Sequence, residues 1–173
     1  SEIEDVARRL EEINKKSEDM ARRIKEELEK VDEESERLVR EVAKRLDEVL
    51  KRVRDDGVDE KKLKELEDKV KRIKDEARRL LEESKELTRR LVEEVRRLLE
   101  DSRRAVEEIE RKLKDGTAEE LKKRVEDLKR KNEDLIRRLE EKVRRLKKRN
   151  RDLIEELKKL VKELKDEAKK TSD

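Results

Sequence analysis

The sequence contains no cysteine, histidine, proline, tryptophan, tyrosine or phenylalanine, and only two glycines. Each absence removes a class of chemistry. Without cysteine there is no disulfide and no thiol nucleophile, and without cysteine and histidine together there is neither a zinc-finger ligand set nor an imidazole base. Without aromatic rings there is no platform for stacking nucleic-acid bases and no large ring to anchor a protein interface. No apolar run approaches the ~18 residues of a membrane span, and no signal-peptide core opens the chain. Neither a membrane helix nor a targeting segment is therefore expected, and the sequence assigns no compartment.

What is present is charge. Of 173 residues, 62% are Asp, Glu, Lys or Arg, yet 55 cations against 52 anions leave a net charge of only +3. Hydrophobic residues make up 30%, below the roughly 45–50% of average domains. Low hydrophobicity with a large net charge would mean disorder, but here the charges nearly cancel. The apolar residues, almost all Leu, Val, Ile and Ala, are regularly spaced. Long helices with narrow apolar stripes need few core residues per turn, so the chain is expected to fold.

Gly57 and Gly116 fall near one-third and two-thirds of the length. In RDDGVDE, Gly57 suits the left-handed position past a helix end, and Asp59 suits the cap of the next helix. In KDGTAEE, Gly116 is expected to repeat that role, with Thr117 and Glu120 forming a T-x-x-E capping box. Ser1 and Glu4 form the same box at the start. Three helices follow, at about 3–54, 60–114 and 118–170, each roughly 80 Å long at ~1.5 Å per residue. Such short connections force consecutive helices to lie antiparallel. The expected architecture is all-α, a single domain over 1–173, and a straight, elongated, up-down-up three-helix bundle with helices of about 55 residues.

An 18-residue repeat runs through all three helices. LKKRVEDLKRKNEDLIRR from Leu121 is followed by LEEKVRRLKKRNRDLIEE from Leu139 and LKKLVKELKDEAKK from Leu157. The first helix repeats from Leu10, Leu28 and Leu46, the second from Leu63, Leu81 and Leu99. Core positions step through Leu10, Ile13, Ser17, Met20, Ile24 and Leu28, five steps in 18 residues. That is 3.6 per turn, the period of an unstrained α-helix, whereas a strict heptad would impose a left-handed supercoil. The helices are accordingly expected to be untwisted.

Polar interruptions in the stripes set the register. They are Ser17 and Ser35, Ser84 and Ser102, and Asn132 and Asn150. Antiparallel neighbours pair at a constant total of residue numbers. Ser17 with Ser102 and Ser35 with Ser84 both total 119, while Ser102 with Asn132 and Ser84 with Asn150 both total 234. Two buried polar layers are expected, Ser17/Ser102/Asn132 and Ser35/Ser84/Asn150, about 27 Å apart. The same totals place Met20/Leu99/Leu135, Leu38/Leu81/Leu153, Ile24/Val95/Leu139 and Leu28/Leu91/Val143 in apolar layers. Val53/Leu66/Ala168, the third equivalent layer, is apolar. Thr88 falls on the inner stripe and is assigned to its edge.

The polar layers have a functional reading, as a ligand, metal or water site, and a structural one, as internal hydrogen bonding. The structural reading is preferred. Serine hydroxyls can bond their own i−4 carbonyls, and neither Ser nor Asn is a strong metal ligand without carboxylates beside it. Such layers can supply registry, because a one-heptad slip opposes each Asn to leucines. A slip of a whole repeat would realign them and must be excluded by the short loops.

Residues 1–55 carry a net −3, residues 56–115 no net charge, and residues 116–173 a net +6. The densest basic run is KVRRLKKRNR, Lys142 to Arg151. It can mark a nucleic-acid patch, but no aromatics interleave. A parallel first and third helix offset by 115 would also set Arg145–Arg151 beside the acidic Lys30–Glu36. Nucleic-acid binding is not expected. The carboxylates are expected on solvated faces, where nothing is desolvated and pKa values stay ordinary, and no glycine loop can cradle a phosphate. No catalytic, cofactor or metal site is expected, and the chain is read as a non-enzyme.

Regular 18-residue repeats, glycine-ended minimal loops, capping boxes and alternating Lys, Arg and Glu surfaces together resemble a computationally designed, parametrically generated three-helix bundle. The Leu10/Leu28/Leu46, Leu63/Leu81/Leu99 and Leu121/Leu139/Leu157 ladders and the Gly57 and Gly116 turns carry the resemblance over the whole chain. It implies a straight, heat-stable, monomeric scaffold without a natural partner or cofactor, whose Ser/Asn layers are deliberate hydrogen-bond networks. A spectrin-like repeat, the nearest natural comparison, has shorter helices and aromatic core markers. The alternative function is a helical interaction module that binds a protein or polyanion through an exposed helix face. Val39, Leu50, Leu80, Leu98 and Leu160 broaden the apolar stripes, which widens the core or, if exposed together, makes a sticky strip.

Overall fold

A computed structural model describes residues 1–172 as an all-α chain of three long helices, α1 (Glu2–Asp55), α2 (Glu60–Arg111) and α3 (Ala118–Ser172). They contain 54, 52 and 55 residues. Leu, Glu, Lys and Arg are strong helix formers, and no proline interrupts them. Acidic residues open α1 (Glu2, Glu4, Asp5) and α3 (Glu119, Glu120), while Arg52 with Arg54 and Lys169 with Lys170 close them. That placement complements the helix dipole at both ends.

The helix ends follow the expected chemistry with two corrections. At the start, the Glu4 amide donates to Ser1 Oγ and the terminal ammonium to Glu4 Oε2, both at 3.3 Å, a reciprocal capping box. Before α3, the Glu120 amide donates to Thr117 Oγ1 at 3.3 Å. Ahead of α2, the Asp59 carbonyl accepts the Leu63 amide at 2.9 Å as the first backbone bond of the helix, but its carboxylate makes no capping bond, which corrects the expectation that it caps α2. Gly57 takes the left-handed conformation, with φ +68°.

Gly116 does not, which corrects the expectation that it repeats the Gly57 role. Instead α2 tightens into a 3₁₀ turn, Lys112–Lys114, and the Gly116 amide donates back to the Lys112 carbonyl at 2.9 Å. Glycine leaves space there. A Cβ would sit 3.2 Å from the Lys112 carbonyl oxygen and 3.3 Å from Leu121 Cγ and Cδ2.

The chain groups into two compact units. Unit 1 comprises Ser1–Glu29 and Thr88–Arg145; unit 2 comprises Lys30–Leu87 and the chain from Leu146 onward. In unit 1 a core of Val6, Leu10, Ile13, Val106, Ile109, Leu121, Val125 and Leu128 joins the three helices. In unit 2 the corresponding core includes Leu46, Val49, Val53, Leu66, Val70, Leu157, Val161 and Leu164. Cross-helix ion pairs fix the directions. In unit 2, Glu36–Lys85 and Arg54–Glu67 run in opposite senses along α1 and α2, so these helices are antiparallel. In unit 1, Glu2–Lys122, Arg9–Glu126 and Lys16–Glu133 advance together along α1 and α3, so those are parallel.

The expected apolar layers need one revision. Ile24, Val95 and Leu139, and Leu28, Leu91 and Val143, are buried, but Met20, Leu99, Leu135, Leu38, Leu81 and Leu153 are only half-buried. The cause is angular. At ~100° per residue, Met20 and Ala21 straddle the direction of Ser17 at about −60° and +40°. Each helix thus offers two neighbouring residues to this layer, and neither points straight inward. The nearer member is buried in unit 1, as Ala21, Leu98 and Ile136. The α2 ladder, Leu63, Leu81 and Leu99, lies on the core margin for the same reason. Of the stripe-broadening residues, Leu50 and Leu98 are buried, Val39 and Leu80 are half-buried, and Leu160 is 38% exposed.

Candidate functional site

The most ordered polar chemistry lies in the two buried layers. In unit 1, Asn132 Nδ2 donates to Ser102 Oγ at 2.8 Å and to Ser17 Oγ at 3.3 Å. In unit 2, Asn150 Nδ2 donates to Ser84 Oγ at 2.8 Å and to Ser35 Oγ at 3.1 Å. All six residues are 2–7% exposed. One residue per helix meets at each level, as the residue-number totals require. A carboxamide nitrogen has two hydrogens, and each layer gives it two hydroxyl acceptors. This forked arrangement needs nothing else to satisfy the nitrogen. It supplies no anionic ligand for a metal and no base for proton transfer.

Their surroundings differ. A cavity of about 20 Å³ lies against Ser35, Ser84 and Asn150, bounded by Val39, Leu80, Leu81, Leu153 and Ile154. The residues one repeat away in unit 1 are identical at four of the six double-layer positions. The exceptions are Met20 for Leu38 and Ala21 for Val39. With Ala21 in place, Leu98 and Ile136 are buried. With Val39, their counterparts Leu80 and Ile154 are half-buried. The larger α1 side chain at 39 accompanies the less buried neighbours.

Thr88 corrects a further expectation. It is not at the stripe edge but 5% exposed, and its Oγ1 has no hydrogen-bond partner. Its position on the inner stripe was visible in sequence; the missing partner was not, since hydroxyl pairing depends on geometry rather than spacing.

The surface holds a second ordered pattern that spacing alone did not reveal. Glu18–Arg103 (3.3 Å), Glu36–Lys85 and Arg54–Glu67 (3.1 Å) join α1 to α2 at one-repeat intervals, with polarity reversed in the last. Hydrogen bonding to Lys85 holds the Glu36 carboxyl below its ordinary range, and the same bond raises Lys85. Hydrogen bonding to Arg96 lowers Glu93 likewise. Both shifts favour the charged forms, the reverse of what a general acid at neutral pH needs.

Three cations of the basic run Lys142–Arg151 pair with carboxylates outside Lys30–Glu36. Lys142 pairs with Glu94 of α2 at 3.0 Å, Arg149 with Glu83 of α2 at 2.9 Å, and Arg145 with Glu141 of its own helix at 2.9 Å. For these three residues the neutralising carboxylates come from α2 and α3, not from Lys30–Glu36. Among the described residues no group of three or more His, Cys, Asp or Glu is placed to hold a metal ion. No described helix is long and apolar enough to cross a membrane. No protein-family model matches this chain, and neither does any curated protein or solved structure.

Proposed function

We propose that this protein is a designed structural scaffold, monomeric, heat-stable and untwisted, with no catalytic activity of its own. The observation that carries the reading is the pair of Ser/Ser/Asn layers, one 18-residue repeat apart, each satisfying its asparagine amide with one hydroxyl from each neighbouring helix. A core that is otherwise aliphatic gains no chemistry from such layers. It gains registry, because a heptad slip would strand the carboxamide among leucines at a cost of about 1–3 kcal/mol per unmet group. The reversed polarity of Arg54–Glu67 adds to the discrimination that the layers supply. A slip of α1 against α2 by one whole repeat realigns only one Ser/Ser pair and sets the other layer's serine against Val53 or Leu66, and it brings Arg54 against Lys85 or Glu36 against Glu67, according to its direction.

Absence of activity is supported by the lack, among the described residues, of a desolvated acid or base beside the buried layers, and by Glu36 and Glu93, whose carboxyls their cationic partners hold below the ordinary range. Circular dichroism on heating, with light scattering after size exclusion, tests the scaffold reading. Helicity persisting beyond ~90 °C and the mass of one chain are expected; a cooperative melt in the mesophilic range or a defined oligomer overturns it. For registry, Asn132→Leu with Asn150→Leu should leave a stable helical protein, and loss of helicity in that double variant would assign the layers a larger role.

A further inference from the structure

Both turns contain an Asp-Gly pair, Asp56–Gly57 in RDDGVDE and Asp115–Gly116 in KDGTAEE. This dipeptide carries a chemistry of its own. A glycine amide nitrogen can attack the side-chain carboxyl of the aspartate before it, because glycine has no side chain to bar the approach. The rate depends on how freely that nitrogen can turn toward the carboxyl carbon, since ring closure needs the two atoms in a near-attack arrangement.

The two turns differ in that freedom. Ring closure eclipses the glycine nitrogen with the aspartate Cβ, and Asp115 stands far from this, at ψ −17°. The Gly116 amide is tied to the Lys112 carbonyl at 2.9 Å. Against Gly116 packs Leu121, a 1% exposed member of the unit 1 core, and just beyond it the Thr117 hydroxyl holds the Glu120 amide. The turn between α1 and α2 lacks these restraints. The Gly57 amide donates to the Arg54 carbonyl at 3.2 Å, the long end of the hydrogen-bond range. Nothing lies within 4 Å of a Cβ built on Gly57. Asp56 and Gly57 are both exposed, and Val58 and Asp59 after them belong to no helix. With a longer bond to break and no packing to disturb, local opening costs less here.

We propose that Asp56 is a site of spontaneous isomerisation to isoaspartate, and that Asp115, in the same dipeptide, is protected by its turn. The Gly57 nitrogen bonds to Asp56 Cγ. One carboxyl oxygen leaves as water, taking the carboxyl proton and the amide proton, and a five-membered succinimide remains. Water then opens the ring at either carbonyl carbon. Attack at Cγ restores aspartate. Attack at the main-chain carbonyl carbon breaks its bond to the Gly57 nitrogen, so the chain now runs through Cβ and Cγ and the carboxylate stands on Cα. One water is lost and one gained, so mass and charge are unchanged and solvent is the only co-reactant. The main chain gains one carbon beside Val58, which packs on the unit 2 core. The inference is independent of the scaffold reading, because it needs only the geometry of the turns.

The test holds the full folded chain at neutral pH for weeks and then cuts it with trypsin. The peptides Asp55–Lys61 and Asp115–Lys122 separate the two sites. Isoaspartate appears as a second chromatographic peak of equal mass, and electron-transfer fragmentation places it at its residue. It should accumulate at Asp56 at least about tenfold faster than at Asp115. In guanidinium, which unfolds both turns, the two rates should converge. Asp56→Glu, an exposed substitution that would need a six-membered ring, should abolish the Asp56 peak with far-UV circular dichroism unchanged. Equal rates in the folded chain overturn the proposal, as does no conversion at Asp56 while the unfolded chain converts. A ratio that persists in guanidinium would assign the difference to neighbouring residues in the sequence rather than to the turns, and overturns it as well.

Discussion

Units 1 and 2 contain the same polar triad, in the same forked hydrogen bonding and equally buried, yet the residues flanking it pack differently. The difference traces to two α1 residues, Met20 and Ala21 in unit 1 against Leu38 and Val39 in unit 2. Where alanine sits, Leu98 and Ile136 close over the layer; where valine sits, Leu80 and Ile154 stay half-buried beside a cavity of about 20 Å³. A void of that size admits one water, given polar atoms to hold it.

The largest test of that contrast is removal of each asparagine. Asn132→Ala strands the buried Ser17 and Ser102 hydroxyls, and should destabilise the protein by about 3 kcal/mol. Asn150→Ala leaves Ser35 and Ser84 beside a cavity that water can enter, and should cost about 1 kcal/mol less. Guanidinium unfolding followed by helicity, at a temperature where the parent unfolds reversibly, measures both. Equal costs would break the comparison.

Exchanging the residues responsible sharpens it. Ala21→Val adds two methyl groups under Leu98 and Ile136 and should cost about 1–3 kcal/mol by overpacking. Val39→Ala removes them where neighbours are already held apart, and should cost under about 1 kcal/mol because Leu80 and Ile154 can settle inward. The same unfolding experiment decides it, and a larger cost for Val39→Ala would show that valine fills its layer rather than propping it.

Much of this was legible in the amino-acid sequence because it depends on periodicity. Helix number, both turns and both polar layers follow from the 3.6 spacing, two glycines and the matching totals for Ser17, Ser102 and Asn132. What spacing could not supply was angle and side-chain reach. Met20 and Leu99 occupy core steps in the count, but 100° rotations put them at the margin. Gly116 resembles Gly57 in the string KDGTAEE, yet its role is to leave room for Leu121 rather than to adopt positive φ. The ion pairs of Lys142 with Glu94 and of Arg149 with Glu83 depend on how far each cation reaches, which spacing does not encode.

Thr88, in unit 1, is the counter-example to the satisfied layers. Its buried hydroxyl finds no acceptor or donor, so Thr88→Val should raise stability by about 1 kcal/mol, because it removes the unmet polar group and keeps the shape. Thr88→Ser, which keeps the hydroxyl and loses a methyl group, should lower it. A loss in the valine variant would show that Thr88 bonds its own helix carbonyl in solution.

The smallest effect concerns Glu36 and Lys85, on the surface of unit 2 at the level where Glu18 and Arg103 meet in unit 1. Hydrogen bonding to Lys85 keeps the folded Glu36 carboxyl below its ordinary 4.5, and the same bond lifts Lys85 above its ordinary 10.5. In the unfolded chain both revert. The contribution of Glu36 is therefore complete above pH 4.5 and lost as pH falls through the lower folded value; that of Lys85 is complete below pH 10.5 and lost as pH rises through the higher one. Between those limits the pair makes stability flat with pH. Both side chains are well exposed, so salt screens the attraction and the energy is small. Carboxyl NMR titration of Glu36 resolves what unfolding cannot. Its midpoint should lie below 4.5 in the parent and return toward that value in Lys85→Gln, with helicity unchanged. A midpoint unmoved by Lys85→Gln would show that the bond to Lys85 does not persist in solution, and would leave the reversed polarity of Arg54–Glu67 without the counterpart it is set against.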